Sequence, residues 1–126
     1  MSSEFTTSID MLTGSDISAS AGVTNNTVGA AIDVSQRESF TVQFVCGTYA
    51  SGDGNFSLDG SNDGSNWVTN IAFLDAGQTT ATTLATSKVL SSKSSAGAYV
   101  QWRWKYLRCR VEIAGSGTYY AFLTAN

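Results

Sequence analysis

The chain has no histidine, no proline, only two cysteines and few charged residues. Without histidine, Ser-His and Cys-His nucleophilic catalysis, imidazole acid–base chemistry and His-ligated metals are all excluded. Cys46 and Cys109 are too few to build a zinc cluster of the usual spacing. Charged residues make up 13% of the 126, about half the ordinary share, so Ser, Thr, Asn and Gly must cover much of the surface. A formal net charge of −3 gives no general attraction to nucleic acid or to an anionic membrane, and neither is expected as a partner. No apolar run approaches the length needed to span a bilayer. The opening "MSSEFTTSIDM" has no basic region followed by an apolar run, so the expectation is synthesis in a cytoplasm without a secretory signal.

What is present points to a folded all-β domain. Hydrophobic residues make up 42% and aromatics 11%, enough for a core in a chain of this length. Short alternating runs are separated by Gly, Ser and Asn clusters, and no window holds helical spacing. In "SFTVQFVC" (39–46), Phe40, Val42, Phe44 and Cys46 share one face while Thr41 and Gln43 point the other way. "NFSLDG" places Phe56 and Leu58 inward. "TTATTLATSKVL" (79–90) reads as an exposed or edge strand, with Lys88 and Lys93 guarding the edge. In "AYVQWRWKYLRCRVEI" (98–113), Val100, Trp102 and Trp104 have one parity, and Leu107, Cys109, Val111 and Ile113 have the other. One flat strand cannot bury both sets, which predicts a bulge or corner near Lys105–Tyr106. "YYAFLTAN" then closes the sheet. These elements give an antiparallel β-sandwich, jelly-roll-like, of about seven or eight strands over residues 30–126. Residues 1–29, rich in Ser, Thr, Asn and Gly with scattered apolar residues, read as an extended N-terminal arm pinned to a neighbouring subunit.

Several stretches could carry chemistry. In "DGSNDGSNW", Asp59, Ser61, Asp63 and Gly64 match the start of an EF-hand loop. The match fails further on, because Asn70 stands where a bidentate Glu is needed and Asn66 where an apolar residue belongs. A different calcium site from Asp53, Asp59 and Asp63 is the remaining metal candidate, against their stronger reading as turn formers that deliver Trp67 to the core. Both cysteines share a face with apolar neighbours, which fits buried free thiols better than a disulfide. Arg103, Lys105, Arg108 and Arg110 hold four of the seven positive charges. They suggest a stripe meeting acidic groups on a partner subunit, with solvated outer-face charges as the plainer alternative. No carboxylate pair stands out as acid and base, so neither an enzyme nor a cofactor is expected.

Two sets of motifs resemble known families. "FSLDGSNDGSNWVTN" followed by "KYLRCRVEIAGSGTYYAFL" is similar to a pattern in small structural proteins of tailed bacteriophages. There a "GSxDGxxW" hairpin precedes a "YxRxRV" strand, a Gly-Ser turn and a final "TYYAFL"-like strand. The resemblance covers about residues 39–126. The same motifs also resemble parts of discoidin-type jelly rolls, although this chain is shorter and lacks their terminal disulfide pair. The phage resemblance implies a virion component, first of all a head decoration (cement) subunit on the capsid surface. Its partners would be copies of itself, a trimer being the first guess, and the major capsid protein. Contacts are expected from Phe5, Ile9, Met11 and Leu12 of the arm and from the basic stripe. The alternative is a carbohydrate-binding module on a fibre or tail, with Trp67, Tyr99, Trp102, Tyr119 or Tyr120 as stacking residues.

Overall fold

The computed structural model describes residues 7–75 and 84–126. Phe5 of the expected contact set, and residues 79–83 of the expected edge strand, lie outside them. Among the described residues, eleven strands run in chain order: β1 Thr7–Asp10, β2 Thr27–Val28, β3 Ile32–Asp33, β4 Phe40–Ser51, β5 Gly54–Ser61, β6 Phe73–Asp75, β7 Leu84–Ala85, β8 Lys88–Leu90, β9 Ser94–Val100, β10 Tyr106–Ile113 and β11 Ser116–Ala125. The count exceeds the expected seven or eight because four of these strands are only two or three residues long besides the three-residue β8. The strands form two antiparallel sheets, the larger ordered β1-β11-β4-β9-β6-β7 and the smaller β2-β10-β5-β8, with β3 also on β10. From β9 onward, and from β4 to β5, the long strands alternate between sheets, which gives the jelly-roll-like wrap of a β-sandwich.

Alternation decides what each strand buries. On β4, Phe40, Val42, Phe44 and Cys46 face the core, as the sequence predicts, and Thr41 and Gln43 face outward. β11 buries Tyr119, Ala121, Leu123 and Ala125 beside them. From the smaller sheet, Phe56 and Leu58 of β5 meet Leu107, Cys109 and Val111 of β10. The two layers lock through aromatic rings. Phe44 stacks on Phe56 with centroids 4.7 Å apart, and Phe73 and Tyr119 meet this pair edge-on at 5.8 Å. Each fully buried Phe contributes about 2–3 kcal/mol of transfer free energy, so this cluster is a large part of the core. Cys46 and Cys109 are free and buried on opposite sheets, as expected.

The parity change is a corner. β9 ends at Val100 in the larger sheet and β10 starts at Tyr106 in the smaller one, so residues 101–105 cross between layers. Trp102, expected to be buried, is instead 53% exposed on this crossing. Two further corners, at Gly52–Asp53 and Ala114–Gly115, pack backbone to backbone. A Cβ on Gly115 would lie 2.2 Å from the Ser51 carbonyl oxygen, and Gly52 takes φ +75°. Only glycine fits there.

The expected arm is corrected for residues 7–29. β1 pairs with β11 from Thr7↔Ala125 to Asp10↔Phe122, and β2 pairs with β10. Met11 and Leu12 lie in the core, so they cannot serve as contact residues for a partner, and Ile9 packs against the core from β1. A polar composition disguised a segment in which Met11 and Leu12 are core residues, while Ile17 is half-buried and Val28 stays exposed. Lys88 lies on the edge strand β8, and its ammonium pairs with Asp75 at 3.1 Å. The described parts of 79–90 do lie at sheet edges, β7 on the larger sheet and β8 on the smaller.

Candidate functional site

The two outer faces of the sandwich differ in chemistry. On the smaller sheet, β5 and β10 set Asp59 directly across from Arg108. The Asp59 side chain has no exposed surface, although it points away from the core. Arg108 Nε and Arg110 Nε both donate to its Oδ2 at 2.8 Å. Its Oδ1 accepts from Arg110 Nη2 and from the Asn70 backbone N–H, each at 3.1 Å. A carboxylate offers about four acceptor sites, and here all are used. Burial alone would raise the Asp59 pKa. The hydrogen bonds from Arg110, Arg108 and Asn70 outweigh it and hold the group below its ordinary value.

The loop between β5 and β6 closes over this carboxylate. Asn70 takes φ +56°, a left-handed conformation that Asn tolerates, and its side-chain oxygen accepts from Arg110 Nη2. Asp63 accepts from the N–H groups of Ser65 and Asn66, both at 2.8 Å, and from the Asn66 side-chain amide. These bonds, first those from Asn66, keep its pKa well below the usual carboxylate range. Val68 and Gly60 exchange backbone bonds of 2.8 and 3.0 Å, and the Arg108 guanidinium carbon sits 4.4 Å from the centroid of Trp67. Trp67 therefore does not enter the core as the sequence suggested. It is half-buried under a cation on the outer face.

This bracket settles the places of most predicted residues. Arg108 and Arg110, read as meeting a partner's acidic groups, instead meet the chain's own Asp59. Arg103 is exposed and 3.4 Å from the exposed Glu38, and Lys105 is exposed. Of the calcium candidates, Asp59 is filled by arginines, Asp63 by turn donors, and Asp53 lies exposed in the β4–β5 corner. The described residues contain no cluster of three His, Cys, Asp or Glu side chains that could hold a metal. Of the expected stacking residues, Tyr119 is a core side chain and Trp67 lies beneath Arg108, so they cannot form one platform with the others.

A second carboxylate was missed in the sequence. Asp10 is fully buried under the 11–20 loop and accepts from the Leu12 and Ala121 N–H groups, both at 3.1 Å, and from the Ser20 hydroxyl. Leu12 and Ser20 are near it in sequence, but the β11 donor that ties it into the sandwich is 111 residues away.

The outer face of the larger sheet carries a shallow trough of about 480 Å³. Register fixes its rows. Thr124, Thr41 and Tyr99 lie side by side across β11, β4 and β9, and Phe122, Gln43 and Gly97 form the next row. Ile17, from the turn Ile17–Ala19, lies at its margin. The outward parity of Thr41 and Gln43 was legible in the sequence, but their neighbours across the sheet were not.

No protein-family model and no curated protein sequence matches the chain. Among solved structures, the chain is similar to the SPBc2 prophage-derived protein YomS, with a TM-score of 0.65 over 96% of this chain and 93% of that one. Sequence identity is 11%, so the likeness is one of fold.

Proposed function

We propose that this chain is a structural virion protein of a tailed bacteriophage, of the head decoration or cement type, acting by contact and without catalysis. The observation that carries the reading is the likeness of nearly the whole fold to a prophage-derived protein, which agrees with the phage-type motifs at 56–70 and 105–123. Chemistry supports it. The most polar cluster, around Asp59, has each carboxylate lone pair committed to a donor within the chain, which suits a rigid support better than a reacting group. The low charge content suits a surface covered by neighbours in an assembly.

In this role each sandwich is a preformed block, and many weak contacts repeated over a shell add to firm attachment. The contacts come from exposed groups such as Arg103 and Lys105, since Met11 and Leu12 are occupied inside. The test is to mix purified protein with heads from a phage lacking this gene. Saturable co-sedimentation and a higher temperature of head rupture are expected. A protein that stays in the supernatant at every concentration would sink the reading.

A further inference from the structure

We propose that the trough on the outer face of the larger sheet binds a neutral saccharide unit, a role that goes beyond the structural reading above. Three observations converge on it. The first is size. At about 480 Å³ the trough falls within the range of small-ligand sites and suits one or two sugar rings.

The second is the pattern of its lining. Phe122 on β11 and Tyr99 on β9 are separated by β4 and offset by one row, which puts their backbones about 12 Å apart on the diagonal. Gln43 of β4 lies between their strands, and the bare backbone of Gly97 lies next to Tyr99 along β9. A pyranose ring has an apolar C–H face and a rim of hydroxyls. Tyr99, 38% exposed, offers a ring for the C–H face, and Gln43 offers both donors and an acceptor to the rim. Thr41 and Thr124 add hydroxyls along the next row.

The third observation is charge. None of the residues lining the trough carries one, whereas the opposite face of the sandwich concentrates Asp59, Arg108, Arg110 and Glu112. A charged ligand would lose water here and find no counter-charge. The neutral, hydroxyl-rich class is the one that matches. A peptide strand has little to pair with in the trough, because the backbone groups of β4 are already bonded on both sides to β11 and β9.

The test is an NMR titration of the full chain with maltose, cellobiose, lactose and chitobiose at millimolar concentration, with galacturonic acid as the charged control. Saturable shifts confined to β11, β4 and β9 are expected for at least one neutral sugar. Tyr99→Ala should weaken that binding roughly tenfold, the scale of one lost stacking contact, and Gln43→Ala by a smaller factor. Both positions are exposed, so unfolding curves should stay unchanged. Sugar binding that survives Tyr99→Ala, or shifts mapping elsewhere, would overturn the proposal. So would shifts that depend on protein concentration alone, which would assign the face to a second copy. Head binding by the Tyr99→Ala variant separates the two readings, because the structural role does not require the sugar.

Discussion

At Asp59 four donors converge on one carboxylate that water cannot reach. Asp59→Asn keeps the shape but removes the charge that two guanidiniums face. It should lower stability by about 2–3 kcal/mol, toward the lower end for a broken buried pair because the arginines can turn to solvent. Because the folded pKa of Asp59 lies below its unfolded value of about 3.9, its contribution is complete above that pH and is lost as pH falls through the folded value. The gap between the parent and Asp59→Asn in urea unfolding should therefore narrow in acid below about pH 4. Gly60→Ala tests the neighbouring contact. A Cβ there would lie 2.4 Å from the Trp104 ring, so a loss of about 1–3 kcal/mol is expected in the same assay. The residues of this bracket stand out in the sequence by type. Their pairing does not, because Arg108 and Arg110 are 49 and 51 residues from Asp59 and only the β5–β10 register brings them together. Trp67 was misplaced for the same reason: a tryptophan after a hairpin reads as core until the cation over it is known.

Among the elements, long strands with strict alternation were legible and short ones were not. β4, β5, β10 and β11 carry enough apolar residues of one parity to show both the strand and its buried face. β1 and β2 have four and two residues, too few for any period to register, and they lie in a Ser/Thr-rich context that resembles a tail. Their place is decided by long-range pairing. Deleting residues 1–29 should therefore abolish folding, because it removes β1 and β2 and empties the core of Met11 and Leu12. Circular dichroism and amide dispersion would report this, and a folded, soluble truncation would contradict it. Met11→Ala is the gentler version, with an expected loss of about 2–5 kcal/mol.

For the whole molecule, the two free thiols sit on facing sheets of one interior, where burial also pushes the Cys109 thiol upward in pKa. A disulfide reagent should leave both unmodified in the native protein and label both within minutes in strong urea. Labelling that appears at low denaturant would show that the sheets part before the molecule unfolds. The position of β11 has a consequence for synthesis. β11, the last of the described strands in chain order, lies between the first of them and β4, inside the larger sheet. Until residues 116–125 emerge, β1 has no partner and the inner face of β4 lacks Tyr119 and Leu123 beside it. Until then the cluster of Phe44, Phe56 and Phe73 lacks the Tyr119 ring, so the chain exposes apolar surface until this strand docks.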